Sequence, residues 1–180
     1  MHDKYQECGL ETPRCILRKY VETDVEPCFE ILKEYPEITK FLRFSPPTEK
    51  EETLENFRQS SPDDAHFAIL FEGKFIGRCG LHGLFIPNSQ VEFGFWISPE
   101  FHGRGLGTEI LQEVCRFAFF DLDIPEIFSG AFAENEASIR VHQKVGFKTI
   151  RSTKNTIKKN GIFVEHIDFC LRKTDFHPPK

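Results

Sequence analysis

Two kinds of hydrophobic pattern divide the chain into segments. Short apolar or alternating runs bounded by Gly, Pro or Asn predict strands, and apolar residues three and four positions apart predict helices. These patterns place strands at residues 14–20, 66–71, 75–85, 91–97, 124–131, 147–153 and 163–171. They place helices after Thr23-Asp24, after a capping box formed by Thr48 and Glu51, from Leu106 to Ala118, and from Glu134 to Val145 before Gly146.

Turn residues connect these segments into a recognisable order. Glu72-Gly73-Lys74 is expected to join two strands as a hairpin, and Asn160-Gly161 is expected to join the last two. Between the hairpins lies a unit of strand, glycine-rich loop, helix, strand and helix. The order predicts a mixed α/β domain.

The glycine-rich segment His102–Gly107, with the sequence HGRGLG, lies between a predicted strand and a predicted helix. Its three alternating glycines let backbone N–H groups turn toward one point, and the positive end of the following helix adds to them. Such an arrangement binds phosphate or pyrophosphate. The spacing excludes a P-loop, and Thr108 stands where a dinucleotide motif needs glycine. A plain glycine-rich turn is the alternative.

The last predicted helix carries three hydrogen-bonding side chains on an otherwise apolar face. Asn135, Ser138 and His142 follow the spacing i, i+3, i+7. A buried polar group without a partner costs about 1–3 kcal/mol. Asn135 could cap the helix and Ser138 could bond its own backbone, but all three together favour a polar ligand along the helix. The apolar residues of this face are Ala137, Val141 and Val145, with Ile139 on the flank.

Composition removes several classes of function. The net charge is -5 and no basic stripe is present, which argues against a nucleic-acid partner. No apolar run reaches membrane length and the N-terminus has no signal-peptide pattern, so we expect a cytoplasmic protein without a membrane partner. The six scattered cysteines are expected to be reduced and mostly buried. The seven histidines show no metal-ligand spacing, and no metal is expected.

These segments resemble the GNAT superfamily of N-acetyltransferases. HGRGLG resembles its pyrophosphate motif (Q/R)xxGx(G/A), and ENEASIRVHQKVGFK is similar to its second coenzyme motif NxxSxxxxxKxGF. LETPRCILRKYVETD and VEFGFWISPEFHGRG resemble the RimJ/RimL-like branch. The likeness covers roughly residues 10–172 and implies one domain over residues 1–180 with a short tail at 174–180. It implies a twisted mixed sheet of about seven strands flanked by about four helices, with a splay between strands 4 and 5.

The resemblance also implies the cosubstrate and the residues that hold it. Acetyl-CoA would enter the splay, its pantetheine pairing with the strand backbone and its pyrophosphate meeting the glycine-loop amides. A neutral amine would attack the thioester directly, without a covalent enzyme intermediate. The implied coenzyme-binding residues are Phe95, Trp96, Ile97, His102, Gly103, Arg104, Gly105, Leu106, Gly107, Thr108, Asn135 and Ser138.

Three residues are candidates for catalysis. Glu92 alternates with Gly94 and Trp96 on one strand face and is the predicted base, although a structural role is equally compatible with the pattern. Many GNAT enzymes have a tyrosine at the position of His142, where it protonates the leaving thiolate. The RimJ/RimL-like branch suggests Ser138 for the thiol contact, so the assignment stays open between His142 and Ser138. His66, His82 and His166 are given no role.

The predicted activity is acetyl transfer to a primary amine, either a protein N-terminus, especially of a ribosomal protein, or a small molecule. A coenzyme-binding module with little catalysis is the alternative function. Monomer and homodimer are both open. Acceptor specificity is expected from the first two helices and from the loops after residue 36 and near 82–90. Phe41, Phe44 and Phe85 could line an acceptor pocket or could equally belong to the core.

Overall fold

Eight strands form one open mixed sheet in the computed structural model, which describes residues 9–42, 44–159 and 162–178, without the side chains of 155–159 and 162. Neighbours are antiparallel except β5 and β6, which are parallel, and the order across the sheet is β1-β2-β3-β4-β5-β6-β8-β7. The strands are β1 (Gly9–Glu11), β2 (Cys15–Lys19), β3 (Ala65–Phe71), β4 (Lys74–His82), β5 (Val91–Ile97), β6 (Glu126–Phe132), β7 (Lys148–Lys159) and β8 (Ile162–Arg172).

Four α-helices cover the sheet, two on each side. They are α1 (Val25–Glu34), α2 (Lys50–Arg58), α3 (Leu106–Arg116) and α4 (Glu136–Val145). Short 3-10 turns lie at Glu22–Asp24, Pro36–Phe41, Pro99–Phe101 and Lys173–Asp175, and a π-helical turn at Phe117–Asp121 follows α3. Within the described part of the chain, no helix is long and apolar enough to cross a bilayer.

The two faces of the sheet bury different residues. On one face, α3 and α4 cover the larger core, which includes Phe67, Phe93 and Ile110. On the other, α1 and α2 pack over a smaller cluster that includes Tyr20 and Trp96. We call this second side of the sheet the α1–α2 face. Since side chains alternate along a strand, β5 contributes Val91 and its alternate neighbours to the larger core and Glu92, Gly94 and Trp96 to the α1–α2 face.

The predicted splay is confirmed. β5 and β6 pair only from Val91 with Ile127 to Phe93 with Ser129, and the ends of both strands then separate. The parting strands are the fourth and fifth of the seven predicted. These strands are numbered β5 and β6 in the structure because the first strand, β1, was not predicted. β1 has three residues and only one of them, Leu10, is apolar, so it has no hydrophobic period to detect.

Several predicted boundaries were wrong for local reasons. α2 begins at Lys50, so its third residue is Glu52; the Thr48 hydroxyl and N–H donate to that carboxylate rather than to Glu51. β4 ends at His82 instead of residue 85, because Gly83 turns the chain with φ 69°. α4 begins after Asn135, two residues later than predicted, and the strand expected at 124–131 runs from Glu126 to Phe132.

The thiols behave as the sequence predicts. All five cysteines in the described part of the chain are unpaired, and four of them are buried. Burial raises the pKa of the Cys79 and Cys115 thiols, which keeps them protonated and unreactive. Cys8 and the predicted Asn160-Gly161 turn lie outside the described residues.

Candidate active site

The glycine loop (residues 102–107) connects the end of β5 to the start of α3. Gly103 and Gly105 have φ values of 74° and 80°, in the left-handed region that residues with a Cβ adopt only at a cost. Gly105 is the N-terminal cap of α3 and has no side chain with which to satisfy the first helical amides. The loop therefore presents main-chain groups.

Those main-chain groups are available to a ligand. Among the residues described, no acceptor is found for the N–H groups of residues 103–107. The amide of Thr108, also predicted to bind the ligand, instead donates to the Gly105 carbonyl at 3.1 Å. Unpaired amides at a helix N-terminus attract anions through their own dipoles and that of the helix.

His102 occupies the position where the motif has Gln or Arg. Its Nε2 lies 2.7 Å from the carbonyl oxygen of Ile97, and because a carbonyl only accepts, Nε2 carries the proton. His102 thus ties the glycine loop to the last residue of β5. The neighbouring Arg104 side chain is exposed and donates to the Glu100 carbonyl.

β5 offers one free edge to the splay. Phe95, Trp96 and Ile97 pair with β4 on one side, and beyond Phe93 the other edge no longer pairs with β6. A Cβ on Gly107 would lie 3.3 Å from the Phe95 ring and 3.5 Å from Val141, so the start of α3 lies close against β5 and α4. The splay, the glycine loop and α4 consequently meet at one place.

The N-terminal turn of α4 faces this place. Asn135 caps the helix, since its Oδ1 accepts the Ser138 N–H at 3.1 Å. Ser138 is half-buried, whereas Ala137, predicted to lie in the core, is exposed. The prediction that Ala137 lies in the core was wrong, since a helical period gives the direction of a side chain and not whether another element covers it.

His142 lies in the core, 1 % exposed. Its Nδ1 donates to the Ser138 carbonyl at 2.7 Å, and its Nε2 lies 2.7 Å from the Ser129 hydroxyl. The imidazole stacks on Phe169 with 4.9 Å between centroids and an interplanar angle of 8°. Burial lowers the pKa of His142, although the bond to Ser138 acts in the opposite direction, so the ring is neutral at neutral pH.

Ser129 links His142 to the splay and was missed by sequence reasoning. Its hydroxyl lies 2.9 Å from the carbonyl oxygen of Phe93, the last residue of β5 that pairs with β6. His142 and Ser129 therefore brace the point where the strands part. The only available signal was a serine within an apolar strand, which does not reveal its partner.

We expect the His142→Phe variant to lose about 1–3 kcal/mol of unfolding free energy, because the Ser138 carbonyl and Ser129 lose a buried partner while the ring stacking is kept. Turnover should fall less than about tenfold, since the Ser129 hydroxyl, no longer donating to Nε2, can donate to the Phe93 carbonyl instead. Urea denaturation and steady-state kinetics measure the two effects. Unchanged stability with turnover lowered more than a hundredfold would instead place His142 on the reacting groups.

Glu92 lies on the α1–α2 face and is half-buried. It stands opposite His82 of β4 and Phe128 of β6 in the strand register. A cavity of about 820 Å³ is lined by residues 84–91 together with residues 124–126 and 128, which include the chain neighbour Val91 and the register partner Phe128 of Glu92. Phe85 is among its lining residues, whereas Phe41 and Phe44 are not.

A cluster absent from the predicted site lies next to Glu92. Asp64 Oδ1 accepts the Gly83 N–H at 2.7 Å, and its Oδ2 lies 2.9 Å from Nδ1 of His82 and 3.7 Å from Nε2 of His66. Burial, helped by the positive charge of Arg78, lowers the pKa of His66 to about 4, so His66 is neutral at neutral pH. Eighteen residues separate Asp64 from His82, and no short motif joins them.

A parallel sheet pair that opens, with a loop of free amides at one end and a polar sheet face beside it, is the arrangement of a GNAT-type acetyltransferase. Residues 14–148 match the family described as "Acetyltransferase (GNAT) domain". The chain belongs to this family, whose members use acetyl-CoA, and is by class an N-acetyltransferase.

Three relatives illustrate the likeness. The chain is 26% identical over 157 residues to the "Putative ribosomal N-acetyltransferase YdaF" of Bacillus subtilis (strain 168), covering 83% of this chain and 86% of that protein. A GNAT-family acetyltransferase from Bacillus anthracis superposes with a TM-score of 0.82 at 18% identity, over 93% and 99% of the two chains. RimL, described as a ribosomal L7/L12 alpha-N-protein acetyltransferase in complex with coenzyme A, has a TM-score of 0.82 at 18% identity, over 92% and 98%. The RimJ/RimL-like resemblance is confirmed.

Proposed function

We propose that this protein transfers the acetyl group of acetyl-CoA to a primary amine within a ternary complex. The observation that carries the proposal is the run of amides at residues 103–107, which have no acceptor among the described residues and lie beside the open end of the splay. A diphosphate fits these donors, and the free edge of β5 fits a group that pairs like a strand.

The geometry supports a coenzyme-binding role for each of these elements. The amides of residues 103–107 would bind the pyrophosphate, and the main chain of residues 95–97 would pair with the pantetheine arm. Asn135 uses its carbonyl oxygen as a helix cap, and among the described residues no acceptor is found for its NH2 group, which would meet the same arm. When bound, acetyl-CoA supplies the activated thioester.

The leaving thiolate needs little help because a thiol has a pKa of about 8.5. Since both nitrogens of His142 are hydrogen-bonded within the protein, the half-buried Ser138 hydroxyl is the better donor to the sulfur. Correct placement of the amine against the thioester then supplies most of the acceleration.

The acceptor amine would lie on the α1–α2 face at Glu92. An amine is mostly protonated at neutral pH, so the face must attract a cation and remove its proton. Glu92 offers the negative charge and is the carboxylate that the sequence predicts as base. The cavity beside Glu92 is large and partly apolar, which suits the first side chain of a polypeptide. We therefore favour a protein N-terminal amine over a small amine.

Two measurements test this function. Calorimetry should detect acetyl-CoA binding, and an assay of free thiol should detect coenzyme A release with N-terminal peptides, small amines or both. Binding without release for any acceptor would support the alternative of a coenzyme-binding module. No binding at all would overturn the proposal.

A further inference from the structure

A histidine and an aspartate on the α1–α2 face form a pair that the family motifs do not include. His82 is the last residue of β4, and Asp64 immediately precedes β3, the neighbouring strand. The 2.9 Å between Asp64 Oδ2 and His82 Nδ1 is a hydrogen-bond distance, and the Gly83 N–H fixes the other carboxylate oxygen at 2.7 Å.

Asp64 sets the tautomer of His82. Burial opposes ionisation of Asp64, but hydrogen bonds from His82 and from the Gly83 N–H outweigh it and lower its pKa, so Asp64 is a carboxylate at neutral pH. A carboxylate only accepts, so Nδ1 of His82 carries the proton. The lone pair of a neutral His82 is consequently on Nε2.

The Nε2 atom of His82 points across two glycines. A Cβ built on either Gly80 of β4 or Gly94 of β5 would lie 3.6 Å from this nitrogen, so the imidazole lies above both strands. Gly94 directly follows Phe93, where β5 parts from β6. The His82 side chain is 47% exposed, which leaves it accessible to a solute on this face.

From this geometry, and on the basis of the proposed function, we infer that His82 is the catalytic base and Asp64 its positioning residue. His82 Nε2 accepts a proton from the acceptor's ammonium group, and the freed nitrogen lone pair forms the bond to the acetyl carbonyl carbon. The C–S bond breaks, the sulfur keeps its electron pair and takes the second proton that the nitrogen loses. His82 returns its proton to solvent.

Glu92 then holds the acceptor rather than removing its proton. An imidazole is a stronger base than a carboxylate by about two pK units, and general bases work best when their pKa is near the operating pH. Glu92 stands beside His82 in the strand register, where its charge would attract the same ammonium group.

The charged and titratable groups around His82 come from each neighbouring element. Asp64 lies before β3, His66 on β3, Arg78 further along β4 and Glu92 on β5. His66 is neutral at neutral pH, so it adds no positive charge beside His82. Arg78 is four residues away along β4, where its guanidinium lies 3.9 Å from the Tyr20 ring centroid.

The test is the pH profile of kcat/KM for wild type and His82→Gln. We expect kcat/KM at pH 7.5 to fall at least about a hundredfold, and its low-pH limb to disappear, while acetyl-CoA affinity changes less than twofold. Added imidazole should partly restore His82→Ala. Glu92→Gln should raise KM for the amine and keep the low-pH limb of kcat/KM. The matched control is His177→Gln, a substitution of an exposed histidine, which should leave the pH profile of kcat/KM unchanged.

A second readout does not depend on turnover. Histidine side-chain NMR should report the Nδ1–H tautomer of His82 in wild type and a mixture of tautomers in Asp64→Asn. A His82→Gln variant that keeps the low-pH limb, or an unchanged tautomer in Asp64→Asn, would overturn this inference alone. Failure of the wild-type protein to bind acetyl-CoA would overturn the proposed function and this inference with it.

Discussion

Replacing Gly77 by alanine is expected to lower the free energy of unfolding by about 3 kcal/mol or more. A Cβ at this position would overlap the carbonyl oxygen of Trp96 and come within 2.9 Å of the Ile97 Cα atom. Both contacts are main chain, and Gly77 is paired with Ile97 in the β4–β5 ladder, so neither strand can shift without losing hydrogen bonds. Thermal unfolding should show a decrease in Tm of roughly 6–12 °C.

Gly94→Ala is the matched control for Gly77→Ala. It is also a strand glycine of the same β4–β5 pair, but the nearest atom to its added Cβ is at 3.6 Å, an ordinary contact. Its stability should stay within about 0.5 kcal/mol of wild type. If both variants lost the same free energy of unfolding, the closeness of Gly77 to the main chain of β5 would not be what limits stability.

The elements of the proposed coenzyme site could be predicted because each has a local cause. The alternation in VEFGFWI gives β5 its observed bounds, Val91–Ile97, and Gly146, with φ 104°, ends α4 where predicted. The glycine loop was found from three residues whose conformational freedom is readable from the sequence. Such features depend on neighbours along the chain.

The hydrogen-bond partners of the histidines could not be predicted, because the paired residues are distant in the sequence and meet only in the folded chain. A helical period shows that His142 points inward, but not that it forms a hydrogen bond with Ser129 of β6. Likewise the strand pattern included His82 in a predicted strand without revealing that Asp64, 18 residues earlier, reaches its Nδ1. Both pairings require the strand order of the sheet, which short patterns do not encode.

The two sides of the splay have opposite electrostatic character. On the glycine-loop side, unpaired N–H groups at the start of α3 attract an anion. On the α1–α2 face, the proposed acceptor site has the carboxylates of Asp64 and Glu92, which would attract a cation. An anionic coenzyme and a cationic amine would therefore approach from different directions and meet where β5 parts from β6, which supports the proposed direct transfer in a ternary complex.

Replacing Gly105 by valine is expected to weaken acetyl-CoA binding roughly 10- to 100-fold. Gly105 has φ 80° and ψ 0°, and a β-branched residue in this region costs about 1–3 kcal/mol, so the loop would turn toward negative φ. That turn redirects the amides of residues 103–107, and each hydrogen bond to a charged group contributes about 1.5–3 kcal/mol. The nearest atom to an added Cβ is Arg14 Nη2 at 3.7 Å, so conformation rather than space decides the effect.

Calorimetry with acetyl-CoA measures this prediction, and Gly73→Val is its matched control. Gly73 also has a positive φ, 77°, with open space around it, but it lies in the hairpin between β3 and β4. Both variants should lose similar stability from backbone strain, and only Gly105→Val should lose affinity. Because the strain is matched, a difference in binding isolates the orientation of the loop amides. Wild-type affinity in Gly105→Val would mean that the coenzyme phosphates are held by side chains instead.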